Sequence, residues 1–318
     1  MKKVSIMVPC YNEEENVVPM SRALVEQMEQ LPQYDYEILF IDNCSQDNTR
    51  TLLRGICAEN PKIRAIFNSK NFGQFNSPYH AICQTTGDCT ITVCCDFQDP
   101  IDMIPKFLAE WENGHKVVIG IKTSSKESKL MYFLRSIYYK LIHKLSRVDQ
   151  IEHFTGFGLY DKSFVAVMRD LDDPTPFLRG IVAELGPNIK RIEYEQAKRR
   201  AGKTSNNFFS LYDAAMLSFT SYTKIGVRLS ELLGVLMSAG SALAAVVCLV
   251  LKLVNPDLLL TGTAAILLTV LFVGGLQLFF LGFVGEYILS INTRSMKRPL
   301  VVEEERLNFE SADEKTNV

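Results

Sequence analysis

The side chains with the clearest chemical potential are acids and amides placed just after short apolar runs. The segment Cys94-Cys95-Asp96-Phe97-Gln98-Asp99-Pro100 follows the stretch Thr90–Cys94, and Asp42 closes the stretch Glu37–Ile41. Oxygen ligands of this kind suit a hard divalent cation, Mg2+ or Mn2+. Such an ion serves a diphosphate-bearing substrate, because negative charge builds on the diphosphate as the bond to it breaks. One carboxylate after a strand is ordinary turn chemistry; several at neighbouring strand ends argue for a site. A second cluster, Arg199-Arg200-Ala201-Gly202-Lys203-Thr204, is cationic. It suits anionic substrates, and equally the headgroups of an anionic membrane.

The elements that must position these groups alternate. Val4–Val8, Glu37–Ile41, Ile63–Phe67, Thr90–Cys94 and Val117–Ile121 read as short buried strands. Between them Glu13–Leu31, Asp47–Glu59, Phe75–Thr85 and Met103–Glu112 read as helices. This rhythm predicts an α/β fold with a doubly wound, mainly parallel sheet covered on both faces. Ligands bind such sheets at the carboxyl ends of the strands. The segments to inspect are therefore Pro9–Glu13, Asp42–Asp47, Asn68–Gln74 and Asp96–Asp99.

The C-terminal third has a different character. Leu232–Leu251 and Thr263–Val284 contain no Asp, Glu, Lys, Arg or His. Each approaches the roughly 20 apolar residues that cross a bilayer core. Lys224 and Arg228 precede the first, and Arg294, Lys297 and Arg298 follow the second. The positive-inside rule then predicts a multi-pass protein of the inner cell membrane with both termini and the catalytic domain cytoplasmic. The expected organisation is a catalytic domain over 1–205, a juxtamembrane segment over 206–228, a two-helix transmembrane hairpin over 229–289 and a cytoplasmic tail over 290–318. Lys129–Arg147 reads as a basic amphipathic helix suited to a membrane surface, and Asn206–Lys224 is a second candidate. The tail after Lys297 reads as exposed and partly disordered. Eight cysteines without a C-x-x-C pair read as reduced thiols. Net charge is only −2, and no nucleic-acid partner is expected. Gly240 and Ala244 are small enough to pack spans within one chain or between copies in a homo-oligomer.

These residues together resemble family 2 glycosyltransferases of the polyprenyl-phosphate type. Val8-Pro9-Cys10-Tyr11-Asn12-Glu13 looks like the family's opening V-P-x-Y-N-E, and Asp42–Thr49 looks like D-[DN]-x-S-x-D-x-T. Asn71-Phe72-Gly73 matches N-F-G, Asp96–Pro100 matches the end of D-x-D-L-Q-D-P, and Arg199–Thr204 is similar to R-x-x-G-x-S. The resemblance implies a GT-A-like nucleotide-sugar domain. Pro9, Tyr11 and Glu13 would line the base and ribose and Asp42 would hold the base, with Asn71, Gly73 and Cys94 also in the nucleotide-sugar site. Asp96 and Gln98 would bind the metal, and Arg199, Arg200 and Lys203 would sit over the phosphates in catalysis. Arg200, Lys203 and Thr204 would meet the acceptor phosphate.

The chain departs from that pattern twice. Cys94 stands where the first Asp of D-x-D is usual, and a thiolate is a soft ligand that suits Mg2+ poorly. In Thr155-Gly156-Phe157-Gly158-Leu159-Tyr160-Asp161, Gly156 stands where an acidic residue is expected and Gly158 where an Arg is. A sugar hydroxyl acceptor needs a base to take its proton. A phosphate monoester, with a second pKa of about 6, is already ionised at neutral pH. The missing acid therefore favours an inverting transfer from a nucleotide sugar, UDP-glucose by analogy, to a polyprenyl phosphate in the lipid bilayer. His153, Asp161 and Glu184 are the nearby groups that could stand in, although Asp161 equally suits the cap of a helix starting near Lys162. The alternatives are a glycan-chain synthase of the same fold and a degenerate, non-catalytic assembly subunit.

Overall fold

The computed structural model describes residues 1–123, 151–197, 200, 263–296 and 298–309, with scattered helical positions between 232 and 254. The chain runs β1 (Lys2–Cys10), α1 (Val17–Glu29), β2 (Tyr34–Asp42), α2 (Thr49–Glu59), β3 (Ile63–Asn68), α3 (Gly73–Gln84), β4 (Cys89–Thr92), α4 (Met103–Glu112) and β5 (Val117–Lys122). There follow β6 (Phe154–Asp161), α5 (Lys162–Leu171), α6 (Leu178–Leu185), β7 (Ile189–Tyr194), α7 (Thr263–Ser295) and β8 (Glu303–Leu307).

The strands form one sheet in the order β7-β5-β6-β4-β1-β2-β3-β8. The segment β3-β2-β1-β4 is wholly parallel, which is the doubly wound core the sequence predicts. Beyond it the sheet is mixed. β6 inserts antiparallel between β4 and β5, β7 runs parallel to β5, and β8 closes the far edge antiparallel to β3.

Two apolar layers flank the sheet. Met20 and Leu24 of α1, Leu53 of α2 and Phe107 of α4 pack with Ile6, Ile38 and Phe67 on one face. Tyr79 of α3, Phe164 of α5 and Ile181 of α6 pack with Met7, Ile66 and Tyr160 on the other. Alternate strand residues feed each layer, because successive side chains point to opposite faces. Burying one such side chain contributes about 1.5–3 kcal/mol. The parallel register sets Cys10 beside Asp42 and Asp42 beside Phe67, so the carboxyl ends of β1, β2 and β3 lie level and carry the loops of the site.

One expectation changes and another is met in part. The segment after Lys297 is not an exposed tail up to residue 309: it forms β8, and its acids are paired. Glu304 meets Arg50 at 2.7 Å, Glu305 meets Arg54 at 2.7 Å, and Glu303 meets His80. Three consecutive glutamates have little strand propensity of their own; their partners lie on α2 and α3, far away in sequence. As for the membrane hairpin, one helix among the described residues is long and apolar enough to cross a bilayer, over Phe272–Ser295 with mean hydropathy 1.6. It belongs to the second expected span but ends later, at Ser295 rather than Val284. Of the first expected span, residues 232–237 are helical and part of the rest lies outside the described residues. The proposed surface helices Lys129–Arg147 and Asn206–Lys224 also lie outside them.

Candidate active site

Two loops at the carboxyl ends of β1 and β2 form one wall by bonding to each other. In the β1–α1 loop the Asn12 N–H donates to Ser45 Oγ at 2.8 Å and the Glu13 N–H donates to Thr49 Oγ1 at 2.8 Å. In return the Gln46 N–H donates to Asn12 Oδ1 at 2.7 Å and the Asn48 N–H to Glu14 Oε2 at 3.0 Å. The chain turns through left-handed φ at Asn12 and Cys44, 55° and 65°. Asn adopts that region at little cost. Pro9 is half-buried, Tyr11 is exposed, and the Glu13 carboxylate accepts from Asn16 Nδ2 at 2.6 Å.

Asp42 lies beneath this wall, fully buried. Its carboxylate accepts the Ser45 N–H at 3.3 and 3.2 Å, and Arg50 Nε stands 3.4 Å away. Burial raises its pKa, and Ser45 and Arg50 offset part of the rise. The Asp42 carboxylate is thus held between the Ser45 N–H and Arg50. Beside it Asn43 organises a second loop, a role sequence reading missed. Asn43 Oδ1 accepts from Asn68 Nδ2 at 3.1 Å and from the Phe72 N–H at 2.9 Å, while its Nδ2 donates to Asn71 Oδ1 at 2.9 Å. Gly73, at φ +87°, donates its N–H to Asn71 Oδ1 at 2.8 Å. The motif N-F-G thus keeps its shape through the Asn of the preceding motif.

The third component follows β4. Asp96 is 5% exposed, its Oδ1 accepts the Gln98 N–H at 3.1 Å, and Phe97 between them has φ 60°. Asp99 accepts the Cys94 N–H at 3.0 Å and the Tyr194 hydroxyl at 3.3 Å. Burial pushes its pKa up from 3.8 to about 6. Cys94 is solvent-exposed at its surface; the protein behind it, then the Asp99 and Asp96 carboxylates, raise its thiol above the usual value. Cys94 is thus held as a neutral thiol, a poor ligand for a hard cation. A carboxylate at Asp96 and an amide at Gln98, two residues apart, fit Mg2+ or Mn2+ in kind. Among the described residues no group of three or more His, Cys, Asp or Glu could hold an ion unaided, so substrate oxygens would complete the shell.

The basic loop reaches this component. The Arg200 N–H donates to the Asp96 carbonyl at 3.3 Å, and its guanidinium lies 5.2 Å from the Phe97 ring centre. Arg199, Lys203 and Thr204 lie outside the described residues.

The glycine positions of β6 have local structural causes. Gly156 has φ +107°, and its carbonyl accepts from the hydroxyls of Thr92 and Tyr160. A Cβ on Gly158 would lie 2.5 Å from the Val118 carbonyl oxygen, so no side chain fits between β4 and β5. Asp161, one candidate stand-in for the missing acid, is engaged elsewhere. It caps α5 by accepting the Ser163 N–H at 3.0 Å and also accepts from Trp111 Nε1 at 2.8 Å. Glu184 lies on α6, and His153 sits at φ 59° before β6.

Comparison with known proteins places this architecture. The model of glycosyl transferase family 2 matches residues 5–186, and the chain belongs to that family of sugar-transferring enzymes. It is 29% identical over 300 residues to a bactoprenol glucosyl transferase of Shigella phage SfX, covering 93% of this chain and 97% of that one. It is 29% identical over 298 residues to a prophage bactoprenol glucosyl transferase homolog of Escherichia coli strain K12, at 93% and 97% coverage. It is also 29% identical over 308 residues to the glycosyltransferase YkcC of Bacillus subtilis strain 168, covering 96% of this chain and 95% of that one.

Proposed function

We propose that this family 2 enzyme moves a sugar from a nucleotide-sugar donor to a polyprenyl phosphate, inverting the anomeric carbon in one displacement. The observation that carries the reading is the contact between the basic loop and the Asp96 loop through Arg200. It sets cationic charge beside a carboxylate and an amide at the carboxyl end of β4, where a donor diphosphate would sit. In this reading Pro9, Tyr11 and Glu13 line the base and ribose, Asp42 supports them from below, and Asn71, Gly73 and Cys94 complete the donor pocket. Asp96 and Gln98 would hold Mg2+ or Mn2+, which supplies charge neutralisation to the leaving nucleoside diphosphate. Arg199, Arg200, Lys203 and Thr204 would gather the donor and acceptor phosphates.

The acceptor class follows from what a nucleophile needs. Gly156 offers no acid at the position where the family pattern has one. An ionised phosphate oxygen attacks without a side-chain base. The bactoprenol acceptor named for the relatives supports a lipid phosphate, and their glucosyl transfer supports a UDP-glucose-like donor. Exposed apolar side chains along α7, among them Phe272, Leu278 and Ile288, suit a bilayer. Arg294 and Arg298 at its end favour a cytoplasmic terminus, with the catalytic domain on the same inner face.

The test is direct. Purified protein in detergent with Mg2+ or Mn2+, polyprenyl phosphate and labelled nucleotide sugars should yield a lipid-linked sugar, and Asp96→Ala should abolish it. No product with any donor would sink the reading, and full activity of Asp96→Ala would remove the metal assignment.

A further inference from the structure

β8 arrives from the apolar helix after a link of a few residues, and it reaches the nucleotide side of the sheet. Its pairing with β3 is irregular: Phe67 faces Glu305 and Asn68 faces Glu303, so the register shifts and Glu304 has no cross-strand partner. Such an extra residue bends a strand and re-aims its side chain. Here the result is that Glu304 and Glu305 both meet α2, whereas Glu303 meets His80 of α3 on the opposite face. With regular alternation Glu304 would have pointed to the α3 side.

The partner of Glu304 is not an ordinary surface cation. Arg50 donates through Nη2 to Glu304 Oε2 at 2.7 Å. Its guanidinium lies 5.2 Å from the Phe67 ring centre. Its Nε is buried, has no hydrogen-bond partner among the described residues and stands 3.4 Å from Asp42 Oδ2. That distance keeps positive charge beside Asp42 without taking up the lone pairs that receive the Ser45 N–H. Ser45 Oγ in turn accepts the N–H of Asn12, next to the exposed Tyr11. A continuous chain of polar contacts therefore links the strand after the apolar helix to the loops of the donor pocket.

We propose that Glu304 is a positioning residue for donor binding: it holds Arg50 beside Asp42, and so keeps the Asp42–Ser45–Asn12 chain in the shape that receives the nucleotide. The proposal rests on reading those loops as the nucleotide side of the site. Without Glu304 the freed guanidinium can turn onto Asp42 as a two-pronged pair. The carboxylate would then leave Ser45, and the wall would loosen. Because β8 follows α7 so closely, the pocket is also mechanically tied to the apolar helix, whose Arg294 meets Asp173 at 2.9 Å.

The experiment uses the full chain in detergent. UDP and GDP binding is measured by calorimetry, and initial rates are measured with the labelled donor that the product assay selects. Glu304→Gln should raise the nucleotide Kd and the donor KM by about fivefold while kcat and the acceptor KM stay within about twofold. Glu305→Gln removes the same charge from the same strand, where among the described residues it pairs with Arg54 of α2, and should leave both constants near wild type. Glu304→Asp should recover part of the loss. Melting temperatures close to wild type exclude unfolding as the cause, and a Glu304→Asp variant without recovery counts against the proposal if Glu304→Gln melts early. Equal behaviour of Glu304→Gln and Glu305→Gln, or a fall in kcat at unchanged donor KM, overturns it. Wild type binding neither nucleotide would instead sink the reading of the site, and this inference with it.

Discussion

Substituting Gly156 by Asp puts a carboxylate where the family pattern has one, and the structure says what that costs. Space is not the obstacle, because a Cβ there would meet only Leu178 Cδ2 at 3.6 Å, an ordinary contact. The obstacle is the backbone, held at φ +107°. A non-glycine residue in so sparsely populated a region costs about 1–3 kcal/mol. Relaxing the backbone instead would pull the Gly156 carbonyl from Thr92 and from the buried Tyr160 hydroxyl. Leaving such a buried group unsatisfied costs about 1–3 kcal/mol. The two routes compete, so the smaller cost sets the outcome, and a loss of about 2 kcal/mol is expected. For a domain of this size that lowers the melting temperature by about 4–8 °C. Catalysis gains nothing, because an ionised phosphate needs no base, and the new charge would repel an anionic acceptor. The assay pairs a thermal melt with initial rates at saturating donor and acceptor. A variant of unchanged stability whose turnover rises about a hundredfold, as a restored general base would give, refutes the reasoning.

Further outcomes follow from the fold and its charges. Glu37 is buried and receives Lys3 at 2.8 Å, Arg64 at 3.2 Å and the Thr86 N–H at 2.7 Å. Burial raises its pKa, but Lys3, Ser5 and Thr86 together outweigh burial and hold it below 4.5. A depressed folded-state pKa gives stability that is present above the unfolded value of about 4.3 and lost as pH falls through the folded one. Glu37→Gln should therefore destabilise by about 3 kcal/mol at pH 7, and denaturation at pH 3.5 should show a clearly smaller difference from wild type. Gly158→Ala should part β5 from β6 and cost about 1–3 kcal/mol, read as a lower melting temperature; full stability would contradict that pairing.

The parallel core was legible because β1 to β4 and α1 to α3 carry their own period and are joined by short turns. The sequence of β6 is broken by two glycines, and its place between β4 and β5 is set by partners distant in the chain. β8 was hidden for a related reason: Glu303, Glu304 and Glu305 look like a solvated run until Arg50, Arg54 and His80 are brought to them. In the site, Asp96, Gln98 and Arg200 could be picked out from charge and spacing, and the fold gathers them. Asn12, Asn43, Ser45 and Thr49 sit inside recognisable motifs, yet much of their polarity is spent on each other's loops. Such reciprocal bonds pair residues about thirty positions apart, as with Asn12 and Ser45 at a separation of 33, and no local pattern reveals them. Asp42 is held locally instead, its carboxylate accepting the Ser45 N–H three residues on.

The central claim is that an ionised lipid phosphate attacks the donor sugar without a side-chain base. It is tested most directly by the pH dependence of kcat/KM for the acceptor, compared between a polyprenyl phosphate and a phosphonate analogue of higher second pKa. The acidic limb should lie near about 6 for the phosphate and move upward with the analogue. Polyprenol lacking the phosphate should give no product. A limb that stays in place when the acceptor is changed, or sugar transfer to the free alcohol, would contradict the account.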